Sequence, residues 1–429
     1  MGKPIEVKEF DSIHKDAFQK TYPDWKESDF QQLLNLASDV SSSDEDGNVL
    51  DFIKPGKNWD TVAFKNYVGL IRINNKYQIQ ILPKIEFLDG EEDKTKQVFL
   101  KMLSCLKDFP CKIFANANLN VERMSLHEIF INMYIQEARR LVKQGIKSSY
   151  ITQEDNLTTL KGKLLFNQHI KNNLVHKERF YTEFSEFHVN RSENRIIKST
   201  LLKLQRMTGS FENSKEIRQL LTSFELVEPS SNYDKDFSQV CIDKSTKNYE
   251  NLMKWSRVFL KNKSFTTFSG TESANALLFP MEKVFEAYIA QNMKRVFSNW
   301  TVAIQESQHY LFNKLNGDSY NKFALRPDIV VELDNGHTIV MDTKWKRLIN
   351  DRKKNYGISQ ADMYQMYAYA KKYDTSSVWL LYPMNSEMKS DEQICFESND
   401  GVKVSLYFFD LAKNIDDSLR TLAQRISPV

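Results

Sequence analysis

The sequence predicts an α/β core at its C-terminal end, a mixed sheet flanked by helices, preceded by a β-containing N-terminal region and a mainly helical middle. Three observations carry this expectation. Apolar and polar residues alternate in the first region. Apolar residues recur at helical spacing in the second. In the third, helix patterns and strand patterns follow one another. The changes of period divide the chain into 1–115, 116–265 and 266–429.

Composition bounds what such a chain can be. Hydrophobic residues make up 41% of the 429 positions, enough to bury a core and too many for a disordered chain. Its length fits two or three domains. With 59 Lys+Arg against 56 Asp+Glu the formal charge is only +3, which argues against a generally basic nucleic-acid binder and leaves a local basic groove open. The four cysteines, Cys105, Cys111, Cys241 and Cys395, form no CxxC pair, so a structural zinc is not expected. No signal-like N-terminus and no membrane-length apolar run is present, and the expected location is the cytoplasm, with reduced thiols.

Taken in order, residues 1–40 read as mixed short elements and Ser41–Gly47 as a solvated loop. Val68–Pro83 alternates on both sides of Asn74-Asn75-Lys76, as a hairpin does. From Ser125 the spacing of Leu126, Ile129, Phe130, Met133, Tyr134 and Ala138 is helical, and so is that of Asn190–Met207. Residues 263–276, rich in Ser, Thr and Gly, mark a boundary. A long amphipathic helix follows, with Met281, Val284, Phe285, Tyr288, Ile289, Met293 and Val296 on one stripe and Glu282 and Glu286 one turn apart on its margin. Taken alone, those glutamates fit a cleft and a solvated first turn equally well.

Chemistry concentrates after this helix. Arg326-Pro327-Asp328 opens one β-rich run, Asp334-Asn335-Gly336 is a turn, and a second run ends in Asp342-Thr343-Lys344-Trp345-Lys346. In a strand, residues i and i+2 share a face, so Asp342 and Lys344 project together with the Thr343 carbonyl between them and Asp328 on the neighbouring strand. Two carboxylates and a carbonyl are hard oxygen ligands suited to Mg2+, and an adjacent lysine can orient a metal-bound water or help deprotonate it. The set resembles the Pro-Asp…Asp/Glu-x-Lys arrangement of metal-dependent nucleases; a surface hairpin with a Lys–Asp ion pair is the plainer alternative. Register tests it. With Asn335-Gly336 as a two-residue loop, Asp328 falls opposite Thr343 and points away from Asp342. A real site therefore requires a register shifted by one residue, through a three- or five-residue loop or a bulge. On a following helical segment Asp362, Gln365 and Tyr369 fall on one face, either bordering a cleft or packing as core. Val378–Pro383 and Val404–Phe409 read as buried strands.

With these motifs, together with Met281–Glu286, Leu160–Leu164 and Asn194–Leu201, the chain resembles the McrC family, nuclease subunits of McrBC-type modification-dependent (5-methylcytosine) restriction systems. The resemblance spans roughly residues 65–415. It implies a PD-(D/E)XK core and a Mg2+-dependent DNA endonuclease, in which Mn2+ substitutes for Mg2+, acting on double-stranded DNA in anti-phage defence. Asp328, Asp342 and Thr343 would hold metal, Lys344 would position the attacking water, Glu286 or Glu282 would complete the acidic cluster, and Gln365 would support water or substrate. It also implies a partner, a McrB-type AAA+ GTPase ring that the N-terminal region enters and stimulates. No G-x-x-x-x-G-K-[ST] occurs in this chain, so no nucleotide site is expected in it and the motor belongs to another polypeptide. Two other readings stay open: a stand-alone repair nuclease of the same core, and a non-catalytic activator of a ring NTPase.

Overall fold

The structure, a computed structural model, describes residues 5–16, 20, 25–42, 53–56, 60–72, 78–86, 94–107, 109–110, 124–261, 275–313, 321–388 and 393–426. Two compact units are formed: residues 127–265 make one, and residues 2–126 with 266–429 make the other. The first and last segments, separate in the sequence-based division, thus share one unit.

The reason is a long-range strand pairing. Tyr67–Arg72 and Gln78–Leu82 pair antiparallel as the hairpin pattern predicts, their connecting turn lying outside the described residues. Ile5–Lys8 adds parallel to Gln78–Leu82, and Asn275–Pro280, from beyond the middle unit, adds antiparallel to Tyr67–Arg72. Gly69 permits this closure. Its φ is +141°, and a Cβ built there would lie 2.1 Å from the Leu277 carbonyl oxygen, so only glycine admits the returning backbone. At the N-terminus, where short elements were expected, a 16-residue helix Glu27–Ser42 packs Phe30, Leu33 and Leu34 into the core of this region. That helix takes in Ser41 and Ser42, expected in the solvated loop; positions 43–47 of that loop lie outside the described residues, as do 262–274 of the expected boundary.

Pro280 stands at the start of the next helix, Met281–Val296, which has Glu282 in its first turn and Lys294 and Arg295 in its last, each favourable to the helix dipole. Beyond it lies a six-stranded mixed sheet, in spatial order Thr301–Ile304, Ile329–Glu332, Thr338–Thr343, Ser377–Pro383, Lys403–Phe409 and Cys395–Glu397. Each of the first three strands is antiparallel to the next, whereas Ser377–Pro383 runs parallel to both of its neighbours. One face buries Val330, Val340, Leu380, Leu406 and Phe408 with Met366, Tyr369 and Ala370 of the helix Gln360–Lys372. On the other, Phe285 of Met281–Val296 meets the rings of Trp345 and Phe409 at 5.4 and 6.5 Å. The expected helix and strand segments of this core are all present. A small hairpin, Tyr310–Asn313 with Asn321–Ala324, is added to them.

The middle unit is helical where expected, at Leu126–Gln144 and Ser192–Met207, with further helices Phe211–Ser223 and Glu250–Lys261. It also holds a sheet that the expectation of a mainly helical region passed over. Ser149–Leu157 and Phe180–His188 pair antiparallel along nine residues each, with Lys163–Leu164 on the outer edge. The β-branched and aromatic runs Tyr150-Ile151-Thr152 and Phe180-Tyr181-Thr182 were the available signal.

Candidate metal and active site

The hairpin sets the geometry. Ile329 pairs with Met341 and Glu332 with Thr338, a register that places Asp328 opposite Asp342, not Thr343. The loop has three residues, Asp334-Asn335-Gly336. Leu333 and His337 close it through Leu333 N to His337 O at 3.0 Å, and Gly336 N donates back to Leu333 O at 2.9 Å. Gly336 takes φ +78°, the left-handed residue that a three-residue hairpin loop requires. The shifted register that a site demands is therefore present, and it arises from the turn chemistry of Asp-Asn-Gly.

Asp328, just before its strand, accepts through Oδ2 from Thr343 N at 2.7 Å and Thr343 Oγ1 at 2.6 Å. Lys344 N donates to Leu381 O at 2.8 Å. Successive residues of a strand turn their backbone groups to opposite neighbours, so the Thr343 carbonyl faces the Asp328 side with its own N–H. Asp342 is buried, at 3% exposure, with Oδ2 2.7 Å from Lys344 Nζ. Lys344 also lies 3.6 Å from Asp362 and donates to Gln365 Oε1 at 3.1 Å, while Gln365 Nε2 donates to the Tyr369 hydroxyl at 2.8 Å. Thus all three residues of the helical face, Asp362, Gln365 and Tyr369, stand at the cluster. Ser359 accepts from Asp362 N at 3.1 Å, so the helix begins with a cap that fixes Asp362 at its third position.

The two glutamates separate. Glu286 is half-buried, accepts from Gln305 Nε2 at 2.6 Å, and feels both Asp328 and Asp342. Glu282 is exposed and accepts instead from Asn66 at 3.0 Å, so the structure does not bring it to the cluster. Four residues of helix leave the two side chains only about 40° apart in projection, and the angle of that helix against the sheet edge decides which one enters. Gln305 gave no periodic signal. It follows the strand Thr301–Ile304 in the left-handed region, φ +51°, with its N–H on the Asp328 carbonyl at 3.0 Å.

Electrostatically the cluster is unbalanced. Burial, then the charge of Asp328, pushes Asp342 up, against the pull of Lys344. Asp328 is raised by burial in spite of its two Thr343 hydrogen bonds. Glu286 rises to about 7 through burial and the charge of Asp328. Burial works against the Lys344 ammonium, but Asp342, with Asp362 and Asp328, outweighs it and holds the lysine charged. Three partly desolvated carboxylates competing for one ammonium leave an acidic excess, the electrostatic condition that a divalent cation relieves. Among the described residues no three His, Cys, Asp or Glu side chains enclose an ion by themselves. A cation here would use Asp328, Asp342, the Thr343 carbonyl and waters, in keeping with the hydration that Mg2+ retains.

Fold and site thus define a mixed α/β protein with an acidic cluster and one lysine where a sheet hairpin ends. The family described as McrBC 5-methylcytosine restriction system component matches residues 62–383, three quarters of the chain, and the chain belongs to that family. No curated protein matches it by sequence. Among solved structures it is similar to a chain of the refined half-complex from a tetradecameric assembly of Thermococcus gammatolerans McrB AAA+ hexamers with bound McrC. The TM-score is 0.71 at 18% identity, covering 99% of this chain and 100% of that one. A chain of the Thermococcus gammatolerans McrBC complex matches with TM-score 0.50 and 19% identity over 69% of this chain and 88% of that one. Among the described residues no helix is long and apolar enough to cross a membrane.

Proposed function

We propose that this chain is the Mg2+-dependent DNA endonuclease subunit of a McrBC-like restriction complex, with a PD-(D/E)XK core that cleaves modified DNA together with a McrB-type AAA+ GTPase ring. The observation that carries the reading is the hairpin register, because it alone sets Asp328 beside Asp342 and Lys344. Asp328, Asp342 and the Thr343 carbonyl would hold the cation, which when bound supplies polarisation of the scissile phosphate and a coordinated water of lowered pKa. Lys344, kept charged by its three aspartates, orients that water and faces the developing phosphate charge as a donor. Gln365, anchored on Tyr369, limits where the ammonium can sit. Glu286, steered by Gln305, accepts a hydrogen bond or a proton at the margin of the cluster. By its resemblance to nucleases of this motif, hydrolysis here would leave 5′-phosphate and 3′-hydroxyl ends. The ring partner is supported by family membership and by the likeness to an assembly that contains McrB hexamers with bound McrC.

The test is cleavage of 5-methylcytosine-bearing plasmid with Mg2+, GTP and the partner ring. Wild type should linearise it and raise GTP turnover, whereas Asp342→Ala or Lys344→Ala should keep the GTPase stimulation and lose cutting. A variant that still cuts removes the assignment. Cleavage undiminished without the ring would favour a stand-alone nuclease, and stimulation with no cleavage by wild type an activator. Deleting residues 1–115 is a poor probe of the partner contact, because it strips Asn275–Pro280 of its sheet.

A further inference from the structure

Glu9 is a carboxylate buried without a cation at ion-pair distance. Its residue exposure is 0%, and among the described residues it forms no ion pair. It follows the strand Ile5–Lys8 in a tight turn that closes with Asp11 N on Lys8 O and Lys8 N on the Asp11 carboxylate, and Phe10 is held there at φ +63°. A bulky residue in the left-handed region is strained, so this turn is maintained by what surrounds it. Its inward product is Glu9 Oε1, which accepts from Lys84 N at 2.8 Å and from the indole Nε1 of Trp345 at 2.9 Å, while Oε2 is buried with no partner. A desolvated carboxylate with one oxygen idle is costly, and a core without it would be easier to stabilise.

Trp345 immediately follows Lys344, at the point where the strand Thr338–Thr343 has ended. Its ring packs on Phe285, one residue from Glu286. One indole therefore touches two of the elements that deliver charged groups to the cluster, the segment of Lys344 and the helix of Glu286, and its single hydrogen-bond donor is held by Glu9. We propose that Glu9 is a positioning residue of the nuclease site: by fixing the Trp345 indole it holds the segment after the strand, and hence Lys344, in register with Asp342. This rests on the nuclease reading above and deepens it. The N-terminal turn acts only through Trp345 and touches no reacting atom.

The experiment is a double-mutant cycle of Glu9→Ala and Trp345→Phe on the full chain with the ring partner, read by kcat on methylated plasmid. It is combined with amide hydrogen exchange of the free protein. Each single variant should lower kcat at least tenfold with KM for DNA unchanged, and the double variant should be no slower than the worse single. Glu9→Gln keeps an oxygen acceptor for the indole and should restore kcat to within threefold of wild type. In Glu9→Ala, exchange should quicken in residues 343–348 and stay unchanged in the neighbouring strand Ser377–Pro383. Additive losses, a Glu9→Gln variant as slow as Glu9→Ala, or faster exchange across the whole sheet would each overturn the proposal and leave Glu9 a general packing residue. Asp342→Asn run alongside separates the two claims. If Asp342→Asn still cuts, the nuclease reading fails; if it is dead while Glu9→Ala is as fast as wild type, only the positioning role fails.

Discussion

Two buried aspartates in this chain, Asp236 and Asp342, have opposite fates. Asp236 lies in the middle unit and accepts from Arg195 Nη2 at 2.6 Å and Nε at 3.3 Å, with the same arginine also bound to the Asn190 carbonyl. Burial raises its pKa, but the arginine and neighbouring hydroxyls outweigh that and hold it below the usual range. Asp342 has a cation at a similar distance and is nevertheless pushed up, first by burial, then by the charge of Asp328, with Asp362 adding to it. The two differ in depth of desolvation and in the number of carboxylates that share one cation, and both differences push Asp342 the opposite way from Asp236. Among the described residues the fork-shaped Arg195 has one carboxylate, Asp236, at ion-pair distance, whereas Lys344 has two, Asp342 and Asp362.

Catalysis separates the two aspartates first. Asp328→Asn should reduce cleavage by about 100-fold or more, the scale of losing a group that acts on transition-state charge. The chelated variant should melt no lower than wild type. A variant that cuts normally would make the cluster as structural as the Asp236 pair. Next in size is Arg195→Ala, which strips Asp236 of its cation and should destabilise the middle unit by about 2–4 kcal/mol, the loss expected for breaking a mostly buried pair. Urea unfolding measures it, and a midpoint unchanged from wild type would remove the contrast from the structural side.

A smaller effect concerns pH. Glu286 and Glu9 each rise to about 7 from an ordinary 4.5, so between those values the folded state binds more protons than the unfolded one. Stability without metal should therefore be fullest below about pH 4.5 as far as these groups are concerned, and should fall as pH rises toward 7. Glu286→Gln should flatten that decline, and Mg2+ should raise the melting temperature more at pH 8 than at pH 5.5, since it binds the ionised cluster. Melting curves that rise with pH in chelator, or a Mg2+ shift larger at pH 5.5, would contradict the acidic excess. The smallest effect is Gly336→Ala. Nothing lies within 4 Å of a Cβ there, so the cost is that of the left-handed conformation alone, about 1 kcal/mol, with cleavage retained. A much larger loss, with inactivation, would mean that the three-residue loop had given way to another register.

Local features were legible without coordinates. The periodic stripe from Met281 to Val296 predicted a long helix there, and strand parity showed that Asp328 could meet Asp342 only if the loop were not two residues long. Even the resolution of that condition lay in Asp334-Asn335-Gly336, since a type I turn followed by a left-handed glycine makes a three-residue loop. These properties depend on neighbours along the chain, and the helix and strand repeats carry them. What the tertiary structure alone decided depends on residues far apart in sequence. Glu282 and Glu286 are equivalent by periodicity, and only the packing of their helix turned Glu286 to the cluster and Glu282 to Asn66. Gln305 sits in a turn with no repeat to announce it. The union of the first and last segments rests on Asn275–Pro280 crossing to Tyr67–Arg72, a pairing some 200 residues distant in which the decisive feature, Gly69, is conspicuous only once the returning backbone lies against it.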